Sequence, residues 1–374
     1  MYRIVSKTRS LLRTLVAIDG RQVRRSVNAR RSFFSFVTSV SGFDNKHANY
    51  EIRNRPRWTY GDDACFISIT DACCVLGVAD GVGGWRSYGV DPSNFSKTLM
   101  STCRRLAESG RFQPNEPMLL VTESYHEVLD AKTPLLGSAT FCVISLCRSD
   151  GRLHTVCLGD SGYMVIRQGT IVKRSSNQKH SLNTPFQVAC LPPNEHGHFY
   201  RDSPEQAIQD SFSLEASDLV VVGTDGLFDN LTDQMILQEL TPLQASLHVA
   251  IIAFKRPCVY RHRIFKEIND CGLNVASDEL LDWCAYRLVA CARNAAENPN
   301  FVSPFANEAR QYGLNIAGGV RGDITVMLAL VVDEAVSADT QSAEPSSSDD
   351  GDDRKKRVFR ISPSRSSLVS AAVD

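Results

Sequence analysis

Four short acidic segments of the chain could do chemistry: Gly61-Asp62-Asp63-Ala64, Gly77-Val78-Ala79-Asp80-Gly81-Val82-Gly83-Gly84, Gly223-Thr224-Asp225-Gly226-Leu227-Phe228-Asp229 and Arg321-Gly322-Asp323-Ile324-Thr325. In each, an aspartate stands beside glycine at the end of an apolar run or just ahead of one. A strand that delivers a carboxylate onto glycine sets it at a sheet rim, where the backbone can turn and face a ligand with its carbonyl. Taken singly, an Asp-Gly pair reads first as a tight turn. Gathered at one rim, the carboxylates repel one another, and a divalent cation relieves that repulsion. With no His or Cys beside them the ligand set is all oxygen, which suits a hard ion, Mg2+ or Mn2+, rather than zinc.

The elements that must position these acids are short β-branched runs bounded by glycine or polar turns. They are Cys65 to Thr70, Cys74 to Ala79, Ala139 to Leu146, Leu153 to Leu158, Tyr163 to Ile166, Leu219 to Gly223 and Ile324 to Val332. They alternate little with helices, so antiparallel sheets are expected rather than a doubly wound parallel one. Helical spacing follows Pro92 (Phe95, Leu99, Cys103, Leu106) and Pro117 (Leu120, Ser124, Val128), and returns from about Asp278 to Ala296. The census predicts an α+β fold, two sheets flanked by helices.

Composition bounds the rest. A chain of 374 residues, 43% hydrophobic and 22% charged, can bury a full core, so it is not wholly disordered. The longest apolar run, Val326 to Val332, is far short of the roughly 18 to 20 residues that cross a bilayer, so no membrane span is expected. The formal charge of −1 hides an asymmetry. Residues 1–40 hold nine Arg or Lys and one acid, Asp19, about +8, which leaves about −9 on the remainder. An acidic body is a poor nucleic-acid binder. The twelve cysteines fall in apolar stretches with no secretory signal ahead of them, so they read as buried thiols of a reducing compartment.

Three segments follow. Residues 1–40, Arg-rich and Ser-rich and nearly free of acid, have the make-up of a mitochondrial presequence, which makes a mitochondrial location the expectation ahead of a nuclear or cytosolic one. Residues 41–335 form the folded domain, and 246–272 within it follow neither a helical nor a strand period and read as an atypical insertion or translated intron. Residues 336–374, with ten serines, an acidic run and the basic Arg354 to Arg357, read as a disordered charged tail.

The series G-D-D-A, V-A-D-G-V-G-G, G-S-A-T (Gly137 to Thr140), L-G-D-S-G (Leu158 to Gly162) and T-D-G-L-F-D resembles the metal-dependent protein serine/threonine phosphatases of type 2C. Y-G-V-D-P (Tyr88 to Pro92), N-T-P-F-Q (Asn183 to Gln187) and D-G-L-F-D-N are similar to its mitochondrial branch, which includes an insect member encoded within an intron. The resemblance covers roughly Tyr60 to Leu243 and Asp282 to Val332. It implies an αββα sandwich and a monomeric hydrolase acting on phosphoserine and phosphothreonine of a phosphoprotein substrate. It implies two ions bridged by Asp80, one of them bound by the Gly81 carbonyl, with Asp225 holding the second. Asp62 and Asp63 match the acidic pair that holds the ions' waters, and Asp160 matches the acid of a weak third site. In such a site a water of lowered pKa attacks phosphorus in line, and no protein nucleophile is needed.

The chain departs from that pattern in two places. Asp80-Gly81-Val82 replaces D-G-H, removing the histidine proposed as general acid. Gly322 stands where a metal-binding aspartate is expected, so either Asp323 reaches the ion from next door or the second site is weakened. That departure and the insertion motivate the rival reading, a catalytically weak scaffold that binds phosphoproteins. Arg55 and Arg57 are weak candidates for the substrate phosphate, since guanidinium matches phosphate geometry. Cys142 to Arg148 has the C-x5-R spacing of a cysteine phosphatase, but Val-Ile-Ser-Leu between them reads as a buried strand. His196 and His198 lack further ligands at metal spacing, and no P-loop occurs.

Overall fold

The computed structural model describes residues 33–47, 59–193, 199–255 and 277–333. Arg55, Arg57, His196, His198, residues 1–32 of the presequence-like segment, 256–272 of the insertion and the 336–374 tail lie outside them.

Two antiparallel sheets face each other. One has the order β1 (Phe34–Phe43), β15 (Ile324–Asp333), β14 (Leu219–Gly223), β8 (Gly162–Arg167), β9 (Thr170–Arg174). The other runs β13 (Ile208–Ser213), β7 (Arg152–Leu158), β6 (Phe141–Cys147), β4 (Cys73–Ala79), β3 (Asp63–Ile69), β2 (Thr59–Tyr60). The two-residue period of each strand divides its side chains between two layers. In β15, Met327, Ala329 and Val331 fill the space between the sheets, whereas Val326, Leu328, Leu330 and Val332 face outward into a second core. In β4, Cys74, Leu76 and Val78 turn to the inter-sheet core, and Cys73, Val75 and Ala79 turn to a third.

Helices cover both outer faces. On the β4 side lie α1 (Pro92–Ala107) and α2 (Pro117–Leu129); on the β15 side lie α3 (Asp225–Phe228), α4 (Asp233–Lys255) and α5 (Ser277–Glu297). A further helix, α6 (Pro304–Gln311), follows them in the chain. Both α1 and α6 start with proline behind a capping side chain. Asp91 accepts the Ser93 N–H at 3.1 Å and Ser303 accepts the Ala306 N–H at 3.0 Å. The αββα sandwich expected from the sequence is therefore the observed architecture.

Two boundaries and two strands differ from the sequence reading. Strand β1 begins at Phe34 and pairs with β15 from Phe34↔Asp333 to Phe43↔Ile324, so the fold starts inside the segment assigned to the presequence. Its alternation is muted because serines Ser35, Ser39 and Ser41 are buried along with Phe36 and Val40. The backbone is helical from Asp233 through Pro242 to Lys255, ten residues into the stretch that lacked a period. Strands β9 and β13 were missed because they are edge strands with few buried side chains.

Antiparallel pairing brings the acidic segments to one end of the sandwich. The start of β3 pairs with the end of β4 (Ala64↔Ala79), the start of β8 with the end of β14 (Gly162↔Gly223), and the end of β14 with the start of β15 (Gly223↔Val326).

Candidate functional site

Asp63 opens β3, Asp80 follows β4, Asp160 lies in the turn that carries the chain from β7 in one sheet to β8 in the other, Asp225 follows β14, and Asp323 precedes β15. These residues are as many as 260 positions apart in the chain, yet their charges act on one another. Burial first, then the charges of Asp63, Asp160 and Asp323, push the Asp80 carboxyl far above the usual carboxylate range. Asp225 is pushed the same way by burial, Asp80, Asp160 and Asp229, against the pull of Lys179. Asp63 is raised by burial, Asp323 and Asp225, against the hydrogen bond from Thr224.

The G-S-A-T segment fixes the backbone under Asp80. The Thr140 N–H donates to the Asp80 carbonyl at 3.0 Å, and the Val82 N–H donates to the Ser138 carbonyl at 3.0 Å. Glycine is required at 81 because a Cβ there would stand 2.8 Å from both the Asp62 and Pro92 carbonyl oxygens. Across the rim, Thr224 Oγ1 donates to Asp63 Oδ2 at 2.8 Å while accepting the Thr325 N–H at 3.2 Å, which locks β3, β14 and β15 together. Asn230 bonds the Gly226 carbonyl and both the N–H and carbonyl of Val320, which holds the approach to β15 against α3.

Three buried carboxylate oxygens at this rim, Asp63 Oδ1, Asp160 Oδ1 and Asp229 Oδ2, accept no hydrogen bond. Leaving such an atom unsatisfied costs about 1–3 kcal/mol, more for a charge. A hard divalent cation is the partner that an all-oxygen set of uncompensated carboxylates suits, so the residues around Asp63, Asp80 and Asp225 fit an ion pair of that kind. Among the described residues no group of three His, Cys, Asp or Glu side chains is already drawn into ligating geometry.

Other expected site residues are engaged differently. The Asp62 side chain is ion-paired with Lys46 at 2.5 Å and with Arg86. Burial and the carboxylates of Asp323, Asp91 and Asp44 nevertheless outweigh these cations and push Asp62 up to about 7. Both oxygens of Asp323 are taken by backbone: Oδ1 accepts the Asn45 N–H and Oδ2 the Asp62 N–H, each at 2.7 Å. Asp323 thus ties the end of β1 to the start of β3. The position of Gly322 is open, with no atom within 4 Å of where a Cβ would lie.

Sequence reasoning missed Asp229, Lys179 and Arg86. Asp229 is four residues after Asp225, one helical turn along the same segment, and that spacing could have found it. Lys179, on β10 (Lys179–Ser181), reaches under the rim to Asp160 at 3.6 Å, Asp229 at 3.8 Å and Glu308 of α6 at 3.0 Å. Burial works against its charge, but Asp229, Asp160 and Glu308 outweigh burial and hold Lys179 protonated above its usual range. Burial likewise pushes Asp229 up to about 7 although Lys179 pulls it down. No local pattern marks Lys179, which lies in a polar stretch.

The C-x5-R alternative is excluded by geometry. Cys142 is wholly buried in β6, its thiol pushed far up by burial and by Cys157, 3.3 Å away. Arg148 points instead at the Thr70 carbonyl, at 2.8 Å.

Comparison with known proteins gives a consistent set of relatives. The chain is 44% identical over 300 residues to the protein phosphatase PTC7 homolog of Xenopus laevis, covering 80% of this chain and 90% of the relative. It is 40% identical over 333 residues to the human PTC7 homolog, covering 89% and 99%. It is 36% identical over 296 residues to the PTC7 homolog fig of Drosophila melanogaster, covering 79% and 84%. Among solved structures it is similar to the photosystem II phosphatase PBCP, with 25% identity and a TM-score of 0.59 over 79% of this chain and 98% of that one. No protein-family profile matches the chain.

Proposed function

The chain belongs to the metal-dependent protein serine/threonine phosphatases of type 2C, and from that premise we propose that its carboxylate rim is the catalytic centre. The protein is a protein serine/threonine phosphatase, and its substrates are phosphoproteins. The observation that carries the site assignment is the negative charge shared by the buried Asp63 and the half-buried Asp80 and Asp225, offset by the Thr224 hydrogen bond to Asp63 and the pull of Lys179 on Asp225.

Two divalent ions, Mn2+ or Mg2+, bound there would supply a water of lowered pKa and neutralise the phosphoryl oxygens. Asp80, with the Gly81 carbonyl beside it, and Asp225 from the facing sheet would hold them. Asp63 is aimed by Thr224. Asp62, clasped by Lys46 and Arg86, anchors positive charge at the mouth of the site, and Arg86, whose side chain is 42% exposed, is placed to meet a phosphate from solvent. Val82 carries no titratable group, so this position contributes no general acid.

Hydrolysis of a phosphothreonine peptide by the full chain tests the assignment. Turnover is expected to vanish with EDTA, return with Mn2+ or Mg2+, and fail to return in Asp80→Asn. Turnover that survives the chelator rejects the site, and folded protein with no turnover under any metal favours a scaffold.

We further infer import into mitochondria, supported by the nine basic residues and single acid of the first 40 positions. Fusing residues 1–40 to a fluorescent reporter should direct it to mitochondria; a diffuse reporter would remove this reading.

A further inference from the structure

The acidic rim has two halves with different charge arrangements. Among the described residues neither Asp63 nor Asp80 forms an ion pair, and Lys46 and Arg86 are held by the adjacent Asp62. Around Asp160 and Asp229 the chain has already placed a cation, the ammonium of Lys179, at 3.6 Å and 3.8 Å from the two carboxylates and with its side chain only 7% exposed.

That ammonium is held from two directions. It donates a hydrogen bond to Glu308 Oε2 of α6 at 3.0 Å. The next residue of β10, His180, is fixed by a 2.9 Å hydrogen bond to Asp202 and by stacking between Phe186 and Tyr200, with ring centroids 4.1 Å and 4.4 Å away. Lys179 faces Asp160 Oδ2 and Asp229 Oδ1, so a divalent ion drawn to the free Asp160 Oδ1 and Asp229 Oδ2, at about 2.0–2.6 Å, would have the ammonium's like charge close behind the same two carboxylates. The weak third ion implied by the sequence resemblance at Asp160 therefore meets a fixed like charge in this chain.

We propose that the Lys179 ammonium stands in place of that third cation, so that the chain carries a permanent positive charge between Asp160 and Asp229 and takes two exchangeable divalent ions rather than three. The inference rests on the phosphatase reading only for the two ions of the neighbouring half. It implies that activity saturates with metal in one range of concentration, without a second, weaker phase.

The test is the number of Mn2+ ions bound per chain, read by equilibrium dialysis on chelator-stripped full-length protein and by the electron paramagnetic resonance of free Mn2+. The wild type is expected to take two. Lys179→Ala and Lys179→Gln are expected to take three, the third weaker and lost again when Asp160→Asn is added. Lys179→Arg, which keeps the charge, is expected to take two, and thermal melts identify which variants are folded. Three ions in the wild type, or no third ion in whichever neutral variant folds, overturns the proposal while leaving the phosphatase assignment standing. A wild type that binds no Mn2+ overturns both.

Discussion

Strand β14 is flanked by two aspartates, the buried Asp218 and the half-buried Asp225, and the two have opposite fates. At its start, Asp218 is gripped by Arg167 through Nε at 2.8 Å and Nη2 at 2.7 Å and also accepts the Glu215 N–H at 2.9 Å. At the other end, Asp225 faces other carboxylates, and the cation that acts on it, Lys179, is already shared with Asp160, Asp229 and Glu308. A bidentate guanidinium closes the first site to chemistry. The second end is left with charge that an added ion or a bound proton must balance. A paired acid reports architecture, whereas a crowd of acids held rigidly by the same architecture reports function.

Substitution at the two ends should separate these roles. Asp225→Asn or Asp80→Asn is expected to cut phosphopeptide turnover by about 10³-fold, the upper range for removing one preorganised stabilising group, while raising the melting temperature of the metal-free protein because one of a cluster of mutually repelling carboxylates is gone. Asp218→Ala should do the reverse, lowering unfolding stability by about 3 kcal/mol through loss of a buried partner and leaving kcat per folded molecule close to wild type. Denaturant melts beside steady-state kinetics check both.

Acid should act on the same contrast. In the metal-free protein the Asp62 and Asp229 carboxyls are raised from 3.8 to about 7. The folded state then binds more protons than the unfolded state between those values, so its stability falls as pH rises from about 4 to about 7. Saturating Mn2+ should flatten that slope, since the charge of the neighbouring ions lowers the proton affinity of both carboxyls. Thermal melts at pH 5 and pH 7, with and without Mn2+, read the difference; an equal slope in both would break the comparison.

The smallest expected effect is at Gly322. Its surroundings are open, so Gly322→Asp should change stability by less than about 0.5 kcal/mol while lowering the Mn2+ concentration needed for half-maximal activity. No change in that concentration would mean Gly322 lies out of reach of the ions.

Much of this was legible in the sequence. Asp80 and Asp225 announced themselves because β4 and β14 are unbroken apolar runs ending on Asp-Gly, a pattern that depends only on neighbours in the chain. Asp323 was legible as an acid but not as a backbone clamp, since its partners Asn45 and Asp62 are brought to it by sheet pairing. Lys179 was invisible for the same reason: its three acidic partners come from the β7–β8 turn, α3 and α6. Strand β1 was hidden by its buried serines, which mimic the composition of the basic segment before it.

The most direct measurement is anomalous diffraction from crystals of the full chain grown with Mn2+. Two peaks in contact with the Asp80 carboxylate, one of them also touching Asp225, are the predicted result. Crystals of active enzyme with no anomalous density between Asp80 and Asp225 would contradict the account.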